Sequence, residues 1–369
     1  MAAILGPGYI SGVASTRNMN QGDLCRHHPR GRSWLRPDIE LADGPSDTVA
    51  ALAFSPAANH LAVASWDSKL RIYDLTQSHT GQGKALISFD GPVLDCQWLK
   101  DGHNVVGSSV DKTARLLNID TGATQQVAAH DEPIKCIRAF EVNNTEMIVT
   151  GSWDKTIKYW DLRQQSPAAT VECKERVYSM DVKAKLLVVA TADRWLQVVN
   201  LDSPTTIYKT VQSPLKWQTR VVSCFNDASG YAIGSVEGRC GFQYVNDKDS
   251  SLNFTFRCHR DAPVNATTKV YSVNAISFHP VYGTFSTGGA DGTFHFWDKD
   301  SHSRLKAFKP VGGSITASAF NADGTIFAYG IGYDWSKGYS FNNPQYPLKV
   351  MLHPVQEDEC KPRGSVKKK

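Results

Sequence analysis

The sequence predicts an all-β chain folded as a closed seven-bladed β-propeller, and three observations carry that prediction. Similar segments return about every 43 residues along the 369-residue chain. Each has alternating apolar residues on both sides of an acidic turn, the period-2 pattern of a strand with one buried face. The longest apolar run, around Leu186 to Ala192, is too short for a membrane-spanning helix. A 41% apolar and 21% charged composition supplies a sizeable core and is unlike that of a disordered polyelectrolyte.

The elements follow in order. Asp38-Ile39-Glu40-Leu41 precedes the first repeat and is expected to supply the outer strand of the last blade, because an open sheet edge templates aggregation. Strand-like runs such as Val49 to Pro56 and Val93 to Trp98 lead into the clearest repeats, Ala62 to Leu75, Val106 to Ile119 and Val149 to Leu162. Weaker copies run from Val189 to Leu201, Ile233 to Val245 and Ser286 to Lys299, with a degenerate one from Tyr329 to Gly338. Each shows small residues, an acid at a turn, then alternating apolar residues. The turn acids are Asp67, Asp111, Asp154, Asp193, Glu237, Asp291 and Asp334, at intervals of 44, 43, 39, 44, 54 and 43 residues.

This period resembles the WD repeat, one four-stranded propeller blade per unit, over residues 38 to 340. Trp160-Asp161 and Trp297-Asp298 carry the signature dipeptide. The resemblance implies a buried hydrogen-bonded tetrad in the third unit, from His130, Asp154, Trp160 and a hydroxyl of Thr150 or Ser152. That gives His130 and Asp154 a bracing rather than a catalytic role.

The propeller is expected to span residues 38–354, between a flexible basic extension at 1–37 and a basic tail at 355–369. The 54-residue interval implies about ten extra residues, placed at 246–268 around Asn253 to Arg260. The eight cysteines form no C-x-x-C pair and no zinc spacing, and Cys96, Cys136 and Cys224 sit in strand-like runs. They read as buried hydrophobes of a reducing compartment. The N-terminus has no secretory pattern and only a weak transit-peptide composition, so the sequons at Asn143, Asn253 and Asn265 read as chance. Hydrolase, metalloprotease, phosphate-loop and calcium-loop signatures are all missing, and the acids recur as turn residues. A non-enzyme without cofactor, metal or small-molecule substrate is expected.

Four further words are more specific: Ser213-Pro214-Leu215-Lys216, Glu237-Gly238-Arg239, Phe256-Arg257-Cys258-His259-Arg260 and Ser277-Phe278-His279-Pro280. They resemble a family of propellers that bind a short acidic segment, the GLEBS motif. It includes nuclear-pore messenger-RNA export factors and a spindle-checkpoint branch that binds checkpoint kinases. Tyr333 to Gly338 and Trp297-Asp298-Lys299-Asp300 are similar to the export branch; Lys216 to Arg220 sits between the two.

The resemblance implies an adaptor at the nuclear pore, shuttling between nucleus and cytoplasm and docking on a GLEBS-containing nucleoporin. Its other expected partners are messenger RNA or its particles, and mitotic checkpoint or spindle proteins; no membrane insertion is expected. It implies a GLEBS site from Trp66, Trp153, Arg239, Lys216 and Arg220. The plainer readings are a Trp packed on a neighbouring loop and Arg239 paired within its blade. A side groove for nucleic acid or peptide is implied at Phe256, Arg257, His259, Arg260, Trp297, Asp298, Lys299 and Arg304. The chain's formal charge is +4, yet residues 1–37 carry +4 and residues 361–369 carry +5, leaving −5 on residues 38–360. The weight of any anion-binding reading therefore falls on a few placed arginines.

Overall fold

The repeat becomes a sheet because each unit supplies four short strands joined by tight turns. In the computed structural model, residues 37–76, 81–142 and 144–363 are described. Seven four-stranded antiparallel sheets form the blades. Blade three, for example, runs Ile134–Val142, Thr145–Ser152, Thr156–Asp161 and Ala169–Glu172 in order from the centre outward. The innermost strands touch in cyclic order, with Val49–Phe54 of blade one against Ser314–Phe320 of blade seven, so the ring closes. The outer strand of blade seven is Ile39–Glu40, paired with Lys349–Pro354 through Ile39↔Leu352 and Glu40↔Met351.

Alternation is the rule only at the periphery. Ile207–Gln212, an outer strand, alternates half-buried and exposed residues, whereas Leu186–Thr191 and Gly230–Ser235 are buried throughout. Second strands are covered on both faces by the adjacent blades, which is why their apolar runs are continuous. The small residues before each turn have a steric cause. A Cβ on Gly151 would lie 2.7 Å from Val177 of the next blade, and one on Gly330 would lie 2.8 Å from Val49 across the closing seam. In every blade a bulge lies near the start of the innermost strand, after its first residue in six blades and after its second, Ile315, in blade seven, a device that sharpens twist.

The turn acids are scaffold in most blades. The carboxylates of Asp67, Asp111, Asp154, Asp291 and Asp334 each accept the backbone N–H two residues on. The residue immediately after the acid is left-handed in all seven turns: Ser68, Lys112, Lys155, Arg194, Gly238, Gly292 and Trp335. An acid that caps its own turn suits that geometry.

Two boundary expectations need correction. Phe254–Arg257 is not part of an inserted loop but the fourth strand of blade five, paired with Arg239–Tyr244. The extra residues lie after it, at 258–272, where Arg260↔Val270 and Val264↔Thr267 bridge a short excursion. Nor do residues 355–363 hang free. The helix Glu357–Cys360 buries Glu359 and Cys360 to 1% exposure, Thr284 Oγ1 donates to the Cys360 carbonyl at 2.7 Å, and Arg363 Nη2 donates to the Leu305 carbonyl at 3.0 Å. The extension at 1–36, with Cys25, and the lysines of 364–369 lie outside the described residues. No helix of the described residues is long and apolar enough to cross a membrane.

Candidate functional site

Blade three holds its tetrad with Thr150 as the hydroxyl. His130 Nδ1 lies 2.7 Å from Asp154 Oδ2, His130 Nε2 lies 2.7 Å from Thr150 Oγ1, and Trp160 Nε1 donates to Thr150 Oγ1 at 2.8 Å. Every group is satisfied when His130 donates from Nδ1 and accepts the threonine O–H at Nε2. Burial holds the His130 pKa below its ordinary value, so the ring is neutral. Thr150 is fully buried, and its hydroxyl meets indole rather than solvent.

Blade six repeats this network, which changes the reading of the groove. His259 Nδ1 lies 2.9 Å from Asp291 Oδ1, His259 Nε2 lies 2.9 Å from Thr287 Oγ1, and Trp297 Nε1 donates to Thr287 Oγ1 at 2.9 Å. His259 and Trp297 are therefore bracing residues, and His259 is only 3% exposed. Asp298, expected in the groove, is buried and accepts from the Asp300 N–H and, at 2.6 Å, from Ser301 Oγ. Its position matches Asp161, which likewise accepts the N–H of Arg163. Phe256 packs at 4.8 Å between ring centroids on Trp297, half-buried. Lys299 lies over the Phe225 ring at 5.5 Å and pairs with Asp300.

What remains of the groove sets three arginines against two carboxylates, Asp261 and Asp291, a formal net of +1. A cleft of about 600 Å³ is lined by Arg257, Arg260 and Arg304, beside His259 and Trp297; Phe256, Asp298 and Lys299 are not part of its lining. Arg257 and Arg304 are exposed, and the Arg304 guanidinium stands 5.8 Å from the Trp297 ring centroid. Arg260 Nη2 is held at 3.1 Å by the carbonyls of Glu237 and Gly238. Burial, reinforced by the charges of Arg239 and Arg257, pulls its pKa below the arginine range. His295, whose pKa burial and His259 push down to about 4, is neutral in the same wall.

The five residues expected to bind GLEBS fall in three places. Trp66, Trp153 and Arg220 line one cavity of about 350 Å³ among the innermost strands, the mouth of the central channel. Lys216 is exposed on the linker between blades four and five, outside that lining. Arg239 belongs with the cleft cations: its strand pairs it with Arg257, and its Nε lies 3.7 Å from Glu237 Oε2. The plainer readings thus hold in part. Arg239 has a partner within its blade, and Trp66 packs on a neighbouring loop, 5.9 Å from Trp335 between ring centroids.

Two aromatics escaped the sequence reading. Trp335 follows a turn acid where the other blades place Ser, Lys, Arg or Gly, and takes φ 60° there. A bulky side chain at positive φ is an outlier, and such outliers cluster at functional sites. Its position in the repeat was the available signal. Trp217, 61% exposed beside Lys216, carried no comparable one.

Comparison with known proteins agrees with this architecture. The family model "WD domain, G-beta repeat" matches residues 39–74, 123–161 and 250–298. The chain is 59% identical to mRNA export factor GLE2 of Chaetomium thermophilum, across 91% of this chain and 95% of the relative. It is 57% identical to the Poly(A)+ RNA export protein of Schizosaccharomyces pombe, across 89% and 94%. Protein Rae1 of Drosophila melanogaster is 44% identical across 88% and 96%.

Proposed function

The chain belongs to the WD-repeat family of mRNA export factors, and from that premise we propose that it is a non-catalytic adaptor in nuclear messenger-RNA export. It docks through its channel rim onto the GLEBS segment of a nucleoporin and so brings export particles to the pore. The observation that carries this reading is the half-buried aromatic rim, with Trp66 packed on Trp335 and Trp153 and Arg220 lining the same cavity. Aromatic and arginine side chains are the residues that most often anchor an interface. Arg239, two residues after the blade-five turn acid and outside that cavity, adds a fork able to grip a second carboxylate. Work at the pore places the protein at the nuclear envelope, with passage to the cytoplasm.

The test is calorimetric titration of the full chain with a nucleoporin GLEBS peptide, against Trp153→Ala and Arg239→Glu. Both variants are expected to bind at least about tenfold more weakly, the usual loss at an interface anchor. A parent that does not bind rejects the docking partner; a parent that binds no better than both variants rejects the rim. Kinase-derived GLEBS segments in competition separate the checkpoint reading, which requires them to win.

Direct RNA contact is a second reading, favoured by the convergence of Arg257, Arg260 and Arg304 on one cleft. The side chains there suit phosphate, and a protein body of charge −5 confines such contact to that cleft.

A further inference from the structure

Among the described residues only one pair of cysteine sulfurs is in contact. The Cys240 and Cys258 Sγ atoms lie 3.6 Å apart, and both thiols are free. The register of blade five brings them together. Cys240, the second residue of Arg239–Tyr244, is opposite Phe256. Cys258 lies two residues beyond Phe256, so period-2 alternation puts both sulfurs on one face of the sheet. The Cys258 N–H donates to the Gly238 carbonyl at 2.9 Å, which carries the pairing one step past the strand. Elsewhere, the sulfurs of Cys96 and Cys224 meet backbone carbonyls, at 3.8 and 3.6 Å.

The two thiols differ in access. Cys258 is 5% exposed and borders the cleft between blades five and six, whereas Cys240 is fully buried and outside that lining. Burial, together with the neighbouring Cys258, pushes the Cys240 thiol well above its ordinary pKa, so it stays protonated at neutral pH. Arg257 and Arg260 belong to the same wall as Cys258, and positive charge there stabilises an oxyanion leaving a peroxide bond. A thiol at a cleft, cations beside it and a second thiol within reach are the parts of a redox site with a resolving cysteine. The backbone supports the same division of roles. Cys240 is held in the ladder from both sides, by Gly234 and Phe256, whereas Cys258 follows the last strand of its blade and opens the excursion at 258–272. A disulfide holds its sulfurs about 2.05 Å apart, so the pair must close by about 1.5 Å, and Cys258 is the less constrained partner.

We propose that Cys240 and Cys258 form an oxidation site that takes a small hydroperoxide and closes to a disulfide. The Cys258 thiolate attacks one peroxide oxygen: the S–O bond forms, the O–O bond breaks, and the departing hydroxide or alkoxide takes a proton and leaves as water or alcohol. The Cys240 sulfur then attacks the sulfenic acid on Cys258. The S–S bond forms, the S–O bond breaks, and hydroxide leaves as water with the Cys240 proton. The two thiols together give up two electrons and two protons, and the hydroperoxide is reduced. A dithiol reverses the step by exchange. The bridge staples the root of the excursion, which carries Arg260, to the third strand of blade five. The site depends neither on peptide docking at the rim nor on RNA contact.

The experiment treats the full chain with excess hydrogen peroxide, then unfolds it in urea with iodoacetamide and maps the unreduced peptides by mass spectrometry. The expected product is a peptide pair joined through Cys240 and Cys258 and lighter by two hydrogens. It is expected to form while Cys96 and Cys136 are still recovered alkylated, and to be undone by dithiothreitol. Cys240→Ala is expected to stop at the sulfenic acid, trapped as a dimedone adduct on Cys258, and Cys258→Ala to give neither product. Circular dichroism checks the fold of both variants, and the parent's map decides the site if either fails to fold. Recovery of Cys240 and Cys258 both alkylated after peroxide overturns the site. So does a bridge from either one to a different cysteine. A dimedone adduct on Cys240 in Cys258→Ala overturns the assignment of Cys258 as the thiol attacked first.

Discussion

His353, in the last strand of the ring, places its Nδ1 2.7 Å from Asp38 Oδ1, just ahead of the first strand. Its Nε2 lies 2.8 Å from Glu359 Oε2 in the docked helix, and the Tyr329 hydroxyl donates to Asp38 Oδ2 at 2.5 Å. One imidazolium therefore holds two carboxylates from segments on either side of the closing strand pair. Burial opposes its charge, but the bonds to Asp38 and Glu359 outweigh burial and raise its pKa to about 9.

The first prediction is a loss of stability in alkali. A group whose pKa is raised on folding contributes fully below its unfolded value near 6.5, and that contribution disappears as pH climbs through about 9. The shift corresponds to roughly 3 kcal/mol. The melting temperature of the parent is expected to fall by several degrees between pH 7 and 9.5, and that of His353→Gln to fall less over the same window. Parallel curves for the two proteins would remove the imidazolium from the account.

The second concerns the two tetrads. Thr150→Val and Thr287→Val each leave a buried indole N–H and an imidazole nitrogen without a partner. Denaturant titration is expected to show a loss of about 2–4 kcal/mol for either variant, with Thr→Ser at the same positions milder. A much smaller loss at Thr287 than at Thr150 would contradict the equivalence of blades three and six.

Docking of the C-terminal segment supplies the third. Ending the chain after Pro354 removes Glu359 from His353 and Lys306, and unseats the buried Cys360. Breaking one side of a buried ion pair costs about 3–5 kcal/mol, so this truncation is expected to lower the denaturation midpoint markedly. Ending after Arg363 keeps every one of these contacts and is expected to leave the midpoint unchanged.

The fourth tests the cleft. Each phosphate contact to single-stranded nucleic acid contributes about −0.7 to the slope of log affinity against log salt. Replacing Arg257, Arg260 and Arg304 together by Ala is expected to flatten the slope for an oligouridylate by roughly 2. An unchanged slope, or a parent without affinity, removes RNA from the cleft.

Blade order, the seven turns and the closing role of residues 38–41 were legible because a repeat exposes its own scaffold. What recurs, such as the turn acid, is structural; what departs, such as Trp66 before Asp67, is a candidate for function. The same logic missed the bracing role of His259 and Trp297. Their blade-six acid lies 32 residues beyond the histidine, against 24 in blade three, because the excursion at 258–272 intervenes. With that spacing stretched, the second tetrad went unseen, although His259 and Trp297 also line the cleft. The placement of Arg239 was beyond the one-dimensional pattern, since its nearest cations come from the paired strand at Arg257. Docking of residues 355–363 was hidden for another reason: a four-residue helix carries no periodicity, and besides His353 its hold comes from residues more than fifty positions away, such as Tyr282, Thr284 and Lys306.

The pairing of Ile39 with Leu352 has a consequence for the order of events during synthesis. The strand that completes blade seven is among the first parts of the propeller to leave the ribosome, and its partner is among the last. Until residues 349–354 emerge, the nascent chain holds an unmatched strand at one end and a growing stack of sheets with an unsatisfied inner edge at the other. Local hairpins can form early, but the longest-range contact must form last, and it carries the loop-closure cost for the whole assembly. Closure thus waits for residues 349–354, and the interval before it is when the chain is most open to misassembly or to chaperone capture.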